Sequence, residues 1–117
     1  MGVKVLVTGS RQWTDREAVL RALVMAEVTS VVEGCAKGAD AAAEWAADLL
    51  ELPIHHHPAD WQTHGRAAGP KRNQEMLDKH PDIGVVLAFP LKGSIGTWDM
   101  VRRAQKAMIR VIIKDGV

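Results

Sequence analysis

Five short runs rich in β-branched and other apolar residues alternate along this chain with segments of helical periodicity. The runs cover residues 3–8, 30–33, 53–57, 83–89 and 110–114. Strands that alternate with helices pair in parallel, because each helix carries the chain back to the same end of the sheet. The pattern therefore predicts an α/β protein with a parallel sheet that helices cover on both faces.

Helical signals fill the intervals between these runs. Thr14 and Glu17 have the spacing of a capping box and predict the start of the first helix. Pro70 suits the first turn of the third helix, and residues 58–69 before it are predicted as a long loop. The second and fourth helices are predicted at 39–50 and 97–107. The 117 residues therefore predict a single domain, 1–117, folded as a Rossmann-like three-layer sandwich with strand order 3-2-1-4-5.

Composition and charge restrict the functions that this chain can have. A formal net charge of +1 gives no basic surface for nucleic acid, so we expect no nucleic-acid partner. No apolar run reaches the roughly 20 residues that span a membrane, and no signal peptide precedes the first strand. Cys35 is the only cysteine, as in proteins of a reducing compartment. We therefore expect a cytoplasmic protein.

Small residues separate the fourth apolar run from the last helical segment. Gly93, Ser94, Gly96 and Thr97 occupy this strand-to-helix junction. Backbone N–H groups at such a junction approach an anion closely, and the helix N-terminus adds partial positive charge. In the predicted strand order the junction lies at the switch point of the sheet, where α/β proteins bind their ligands. We therefore expect this segment to hold a phosphate group.

The loop after the first strand meets the same switch point. Gly9 permits close approach of the backbone to a ligand, Ser10 can donate to a phosphate, and Arg11 can pair with it through two hydrogen bonds. Trp13 is a candidate for contact with a base. The G-x-G-x-x-G spacing of dinucleotide-binding proteins is absent here.

Two further loops carry candidate ligand contacts. Asp40, with Gly34 and Lys37, lies at the junction after the second strand, and it either complements a helix dipole or accepts a hydrogen bond from a ribose hydroxyl. Trp61 is expected to stack on a base or to cover the site. Arg72 and Asn73, at the start of the following helix, are placed to contact a phosphate or a ribose. The candidates of the long loop and its exit are therefore Asp60, Trp61, Arg72 and Asn73.

The triplet His55-His56-His57 does not predict a metal site. In a strand His55 and His57 share one face and His56 lies on the other, and no carboxylate or cysteine has a spacing that completes a ligand set. No sequence feature assigns Cys35 an activating histidine. We therefore expect an edge strand with polar side chains here, no metal, and no required cofactor.

Five groups of residues together carry a family resemblance: Val7-Thr8-Gly9-Ser10-Arg11 with Trp13; Gly34 with Lys37-Gly38-Ala39-Asp40; Ala59-Asp60-Trp61; Ala68-Gly69-Pro70 with Arg72-Asn73 and Met76; and Gly93-Ser94-Ile95-Gly96-Thr97. With them the chain resembles the SLOG superfamily, which contains the Smf/DprA DNA-processing proteins and the Lonely Guy phosphoribohydrolases. It is most similar to the small stand-alone YspA-like branch. The resemblance implies binding of a nucleotide or nucleotide-derived ligand and association into a homodimer or higher homo-oligomer.

The phosphoribohydrolases of this superfamily carry a P-G-G-x-G-T-x-x-E motif. Aligned on Gly96 and Thr97, this chain has Met100 at the glutamate position. Asp99 comes one residue early, which is a rotation of about 100° on a helix, so it does not simply replace the glutamate. Arg72 corresponds to the arginine of the family's R-K pair. The catalytic residues stay unknown, with Asp99 and Arg72 as candidates.

These observations favour a sensor or ligand-binding protein that holds a nucleotide-derived ligand by its phosphate. One alternative is an N-glycosidic hydrolase acting on a nucleoside monophosphate or an NAD-like ligand. It requires a carboxylate, for which Asp99, Asp60 and Asp40 are candidates. Another alternative is a protein-interaction module whose partner contact changes when the ligand binds.

Overall fold

A computed structural model describes residues 2–114 of this chain. They form one sheet of five strands, in which every neighbouring pair is parallel and the order is β3-β2-β1-β4-β5. The strands are β1 (Val3–Gly9), β2 (Val28–Glu33), β3 (Ile54–His56), β4 (Ile83–Phe89) and β5 (Arg110–Ile113). The predicted α/β class and strand order are confirmed, including the edge position of the histidine strand.

Helices cover both faces of this sheet. They are α1 (Arg16–Met25), α2 (Ala39–Leu49), α3 (Trp61–His64), a 3-10 turn (Gly65–Ala67), α4 (Ala68–Lys79) and α5 (Ile95–Lys106). Side chains alternate between the two faces of a strand. Val5 and Val7 therefore pack with α1 and α2, whereas Leu6 between them packs with α4 and α5. Within the described residues, no helix is both long enough and apolar enough to cross a membrane.

The long loop predicted at residues 58–69 is mostly helical, so that prediction is wrong. The helix α3 and the 3-10 turn occupy 61–67, and α4 begins two residues before Pro70. Asp60 caps α3, since its carboxylate accepts a hydrogen bond from the Thr63 N–H at 3.1 Å. A four-residue helix is too short to show an apolar periodicity, which explains why the pattern indicated a loop.

The start of α1 also differs from the prediction. Asp15, rather than Thr14, is the N-cap, and its carboxylate accepts a hydrogen bond from the Ala18 N–H at 3.1 Å. Both residue types are favoured caps, so two adjacent candidates are not distinguished by type alone. The helix therefore begins at Arg16.

Candidate functional site

A cleft of about 490 Å³ opens at the carboxyl ends of β1 and β4. The chain leaves β1 towards one face of the sheet and β4 towards the other, so the two connections diverge and leave a crevice between them. The volume is typical of small-molecule sites, which span about 300–1,000 Å³. The cleft is lined by Asp99 and by eleven of the predicted ligand residues: Gly9, Ser10, Arg11, Asp40, Trp61, Arg72, Asn73, Gly93, Ser94, Gly96 and Thr97.

The N-terminus of α5 presents two unused backbone donors at this cleft. Ser94 is the N-cap, but no side chain caps the helix, and the Ser94 hydroxyl accepts from the Leu91 N–H at 3.0 Å. Among residues 2–114, no acceptor pairs with the N–H of Gly96 or of Thr97. A Cβ added at Gly96 would meet no atom within 4 Å. Two N–H groups and the positive end of the helix dipole are thus open to an anion.

At the end of β1, Ser10 and Gly9 have different tasks. The buried Ser10 accepts a hydrogen bond from the Gln12 N–H at 2.9 Å, which leaves its hydroxyl proton for another acceptor. Gly9 packs against α2 and β4: an added Cβ would lie 2.4 Å from the Cβ of Ala39 and 2.8 Å from the carbonyl oxygen of Phe89. Packing alone therefore requires glycine at position 9, whereas contact of this residue with a ligand stays a prediction.

Asp40 brings a buried carboxylate with an unused oxygen to the cleft wall. Its Oδ2 accepts hydrogen bonds from the N–H groups of Gly34 and Ala36, both at 3.2 Å, whereas Oδ1 has no partner. Burial and the nearby charge of Glu33 raise the pKa of Asp40 to about 7, although Arg72 and the two N–H groups act in the opposite direction. An unpaired buried oxygen is unfavourable. Oδ1 itself is shielded from solvent.

Hydrogen bonds connect the end of β2 to α5 through the side chains of α4. The Arg72 guanidinium donates to the carbonyl oxygen of Gly34, and its Nε donates to Asn73 Oδ1 at 3.0 Å. Asn73 Nδ2 then donates to Asp99 Oδ2 at 2.9 Å. Arg72 and Asn73 thus line the cleft with side chains whose orientation is fixed by these bonds.

Asp99 is the acidic residue of α5 that faces the cleft. Met100 is wholly buried in the core between α4, α5 and the sheet. Burial alone would raise the pKa of Asp99, but hydrogen bonds from Arg103 and Asn73 and the charges of Arg103 and Arg102 outweigh it and lower the pKa. The carboxylate of Asp99 is therefore ionised at neutral pH and lies in the cleft wall. It stands one residue before Met100, which aligns with the glutamate of the phosphoribohydrolase motif.

Trp61 stands at the rim of the cleft with about half of its surface exposed. The guanidinium carbon of Arg11 lies 5.5 Å from the centre of the indole ring, which is within the range of a cation–π contact. An aromatic face of this kind can stack on a base. Gly69, which also lines the cleft, lies next to the ring: an added Cβ would be 3.4 Å from an indole carbon.

Positive charge is concentrated in this cleft. Its lining contains two acidic residues, Asp40 and Asp99, against five basic ones: Arg11, Arg66, Arg72, Lys92 and Arg102. The formal excess of three positive charges exceeds the +1 of the whole chain. A cleft with an excess of positive charge attracts anionic ligands. Arg66, Lys92 and Arg102 were not predicted from the sequence. The available signal for Arg102 was its position three residues after Asp99 on a helix.

Four predicted ligand residues lie outside the cleft. Trp13 belongs to the core: its ring packs edge-on against Phe89 with centroids 5.2 Å apart, and its Nε1 donates to the carbonyl oxygen of Asp15 at 2.7 Å. Asp60 is the α3 cap described above. Gly34 and Lys37 line a neighbouring depression that also contains Cys35. A residue's place in a loop does not determine which way its side chain points, so the sequence did not separate these four from the others.

Two comparisons with known proteins place the chain among relatives. Residues 3–64 match the family described as "YspA, cpYpsA-related SLOG family". The chain is also similar to the "Gene 61 protein" of Mycobacterium phage D29, with 44% identity over 93% of this chain and 94% of that protein. The matched family segment runs from β1 through α3 and includes Ser10, Arg11, Asp40 and Trp61.

Proposed function

This chain belongs to the YspA, cpYpsA-related SLOG family, and on that premise we propose that it binds a nucleotide or nucleotide-derived ligand, as a sensor or ligand-binding protein. The observation that carries the proposal is the pair of unpartnered N–H groups at Gly96 and Thr97, in a cleft with an excess of positive charge. A phosphate accepts hydrogen bonds from such a helix N-terminus. Lys92 and Arg102, which also line the cleft, add positive charge for its oxygens.

Two other features support a nucleotide over a simple anion. Asp40 lies in the cleft lining and offers a carboxylate to a ribose hydroxyl, and the exposed ring of Trp61 offers a surface for a base. Phosphate, ribose and base are the three parts of a nucleotide, and each then has a counterpart in one cleft. Arg11, over the Trp61 ring, is available to a second phosphate of a dinucleotide or of ADP-ribose.

Isothermal titration calorimetry with AMP, NAD, ADP-ribose and cyclic nucleotides tests this function. We expect at least one of them to bind, and Arg102→Ala to weaken that binding by about 10-fold or more, because hydrogen bonds to charged groups contribute about 1.5–3 kcal/mol. Lys106→Ala is the matched control, since Lys106 is an exposed cation of the same helix outside the cleft. The proposal fails if the whole panel is silent, or if the two variants weaken binding equally.

A second candidate function, cleavage of an N-glycosidic bond, is favoured by one observation. The ionised carboxylate of Asp99 lies in the cleft wall and is oriented by Asn73 and Arg103. A carboxylate there can stabilise positive charge that develops on a ribose ring or activate a water molecule. Chromatographic detection of free base, released by the wild type but not by Asp99→Asn, would support hydrolysis. Asp48→Asn, on the exposed side of α2, is the control. Binding without release of base, across the same panel, would reject hydrolysis and leave the binding function intact.

A further inference from the structure

A second cluster of reactive side chains lies outside the cleft, where β2 ends beside the edge strand β3. Glu33 Oε1 is 2.6 Å from His56 Nδ1 and 3.3 Å from Cys35 Sγ, and the sulfur is 3.6 Å from the same histidine nitrogen. The three side chains thus direct a carboxylate oxygen, a thiol and an imidazole nitrogen towards one point.

The sheet register creates this cluster. Glu33 and His56 are directly paired in the parallel ladder between β2 and β3, and Cys35 follows two residues after Glu33. Cys35 adopts a left-handed backbone conformation with φ of 59°, and its N–H donates to Glu33 Oε2 at 2.9 Å. The thiol is thereby held beside the carboxylate.

Glu33 is the unusual member, because it is wholly buried. A buried carboxylate is retained only where other groups compensate its charge. Within residues 2–114, no lysine or arginine forms an ion pair with Glu33, and its partners are the histidine and the cysteine already named. A cation at this point would satisfy the carboxylate directly.

We propose that Glu33, Cys35 and His56 bind a zinc ion. Cysteine, histidine and glutamate together are characteristic zinc ligands, and a site with three protein ligands leaves a fourth position for water or another ligand. Bond lengths of about 2.0–2.3 Å place the ligand atoms of a tetrahedral zinc site about 3.3–3.7 Å apart. Both distances from the sulfur already fall in this range.

The remaining distance, between His56 and Glu33, is a hydrogen bond and has to widen by about 0.7 Å when zinc enters. His56 can supply this movement, because nearly half of its side chain is exposed on an edge strand. Binding releases the thiol proton to the solvent, and it requires His56 Nδ1 without a proton, which a neutral imidazole achieves by carrying its proton on Nε2. The bound ion would connect the three-residue strand β3 to β2.

The proposal departs from the expectation, drawn from the sequence, that the histidine triplet binds no metal. Cys35 and His56 are 21 residues apart, so they do not form a compact spacing motif. They meet only because β2 and β3 pair in parallel at this register. None of the three residues lines the nucleotide cleft, although the charge of Glu33 acts on Asp40 in the cleft wall.

Titration of the intact chain with Zn²⁺, and with Co²⁺ as a spectroscopic probe, tests the site. We expect one metal per chain and a sulfur-to-cobalt charge-transfer absorption in the near ultraviolet. Cys35→Ser should abolish that absorption. Both Cys35→Ser and His56→Gln should weaken zinc binding by about 100-fold or more, because even residues that only hydrogen-bond to metal ligands contribute about 10–100-fold to metal affinity. Cys35 and His56 are both exposed, and serine and glutamine each keep a hydrogen-bond donor for the buried Glu33 carboxylate, so we expect both variants to fold.

Two histidine variants make the test specific. His55→Gln is the matched control, because His55 is the strand neighbour of His56 and packs against His80 instead. It should leave zinc affinity and the absorption unchanged. His80→Gln examines the other close pair, in which His57 Nε2 and His80 Nε2 are 2.8 Å apart.

Protection of the thiol gives a second readout. Zinc should slow alkylation of Cys35 in the wild type and in His55→Gln, but not in His56→Gln. The proposal is overturned if the wild type shows no charge-transfer absorption, if Cys35→Ser retains wild-type affinity, or if His80→Gln rather than His56→Gln abolishes binding.

Discussion

Replacing Asp40 by asparagine tests the electrostatics of the cleft wall. Asparagine keeps an oxygen for the N–H groups of Gly34 and Ala36 but cannot ionise. In the wild type, burial and the charge of Glu33 raise the pKa of Asp40 from 3.8 to about 7. The folded protein thus holds this proton more tightly than the unfolded chain does. The stabilising contribution of Asp40 is therefore fully present below about pH 4 and is lost as the pH rises to about 7.

The magnitude follows from the shift in pKa. One pKa unit corresponds to about 1.4 kcal/mol, so a shift from 3.8 to about 7 changes the free energy of unfolding by on the order of 4 kcal/mol. Asp40→Asn removes this dependence. The difference in stability between variant and wild type should therefore move in favour of the variant by up to that amount between about pH 4 and about pH 8.

Urea unfolding, followed by tryptophan fluorescence at several pH values, measures this difference. Asp48→Asn removes an exposed carboxylate from the same helix and serves as the control. A difference between Asp40→Asn and the wild type that stays constant with pH, or that moves in favour of aspartate as the pH rises, would show that the fold does not penalise the ionised form of Asp40.

Two glycines and one tryptophan give further predictions. In a denaturant titration, Gly9→Ala should lower the free energy of unfolding by about 1–3 kcal/mol, because the new Cβ overlaps Ala39 and Phe89. Gly96→Ala should change the free energy of unfolding by less than about 1 kcal/mol, because its Cβ would meet no atom. Gly96→Val should abolish nucleotide binding in calorimetry by filling the open space at α5, and retained binding would exclude the phosphate position. Trp61→Leu should weaken binding by about 10-fold, as expected for loss of base stacking, while Trp98→Leu outside the cleft should not.

The fold was predictable because its signals are repetitive. Apolar runs alternate with helical segments along the chain, and this alternation determines a parallel sheet with few permitted strand orders. The strand order places the switch point between β1 and β4, which is where the cleft lies. The same strand order assigns the glycine-containing junction at residues 93–97 to this cleft. Both inferences depend on the backbone, whose path is set by patterns many residues long.

What the sequence left open depends on the direction of single side chains. Trp13 follows Ser10 and Arg11 in the same loop, yet it packs on Phe89 in the core. The helix α3 is too short for a periodicity, and Asp60 caps it instead of lining the cleft. Position in a loop and residue type were the only signals available, and neither determines a rotamer.

The proposed zinc ligands illustrate the same limit at longer range. Glu33 and His56 meet through the register of β2 on β3, which spacing along the chain does not reveal.

The acidic residue of α5 also depends on the direction of its side chain. Alignment with the enzyme motif placed Met100 at the acidic position, whereas the helix directs Met100 into the core and Asp99 into the cleft.

Amide chemical shifts in ¹⁵N-labelled protein give a direct test of phosphate binding at the N-terminus of α5. AMP, NAD and ADP-ribose would be titrated in turn, with inorganic phosphate as a fourth ligand. We predict the largest shift changes at the N–H groups of Gly96 and Thr97, with a smaller change at Ser10. Changes confined to residues outside the cleft, or no saturable change with any of the four ligands, would show that this helix end does not hold the phosphate.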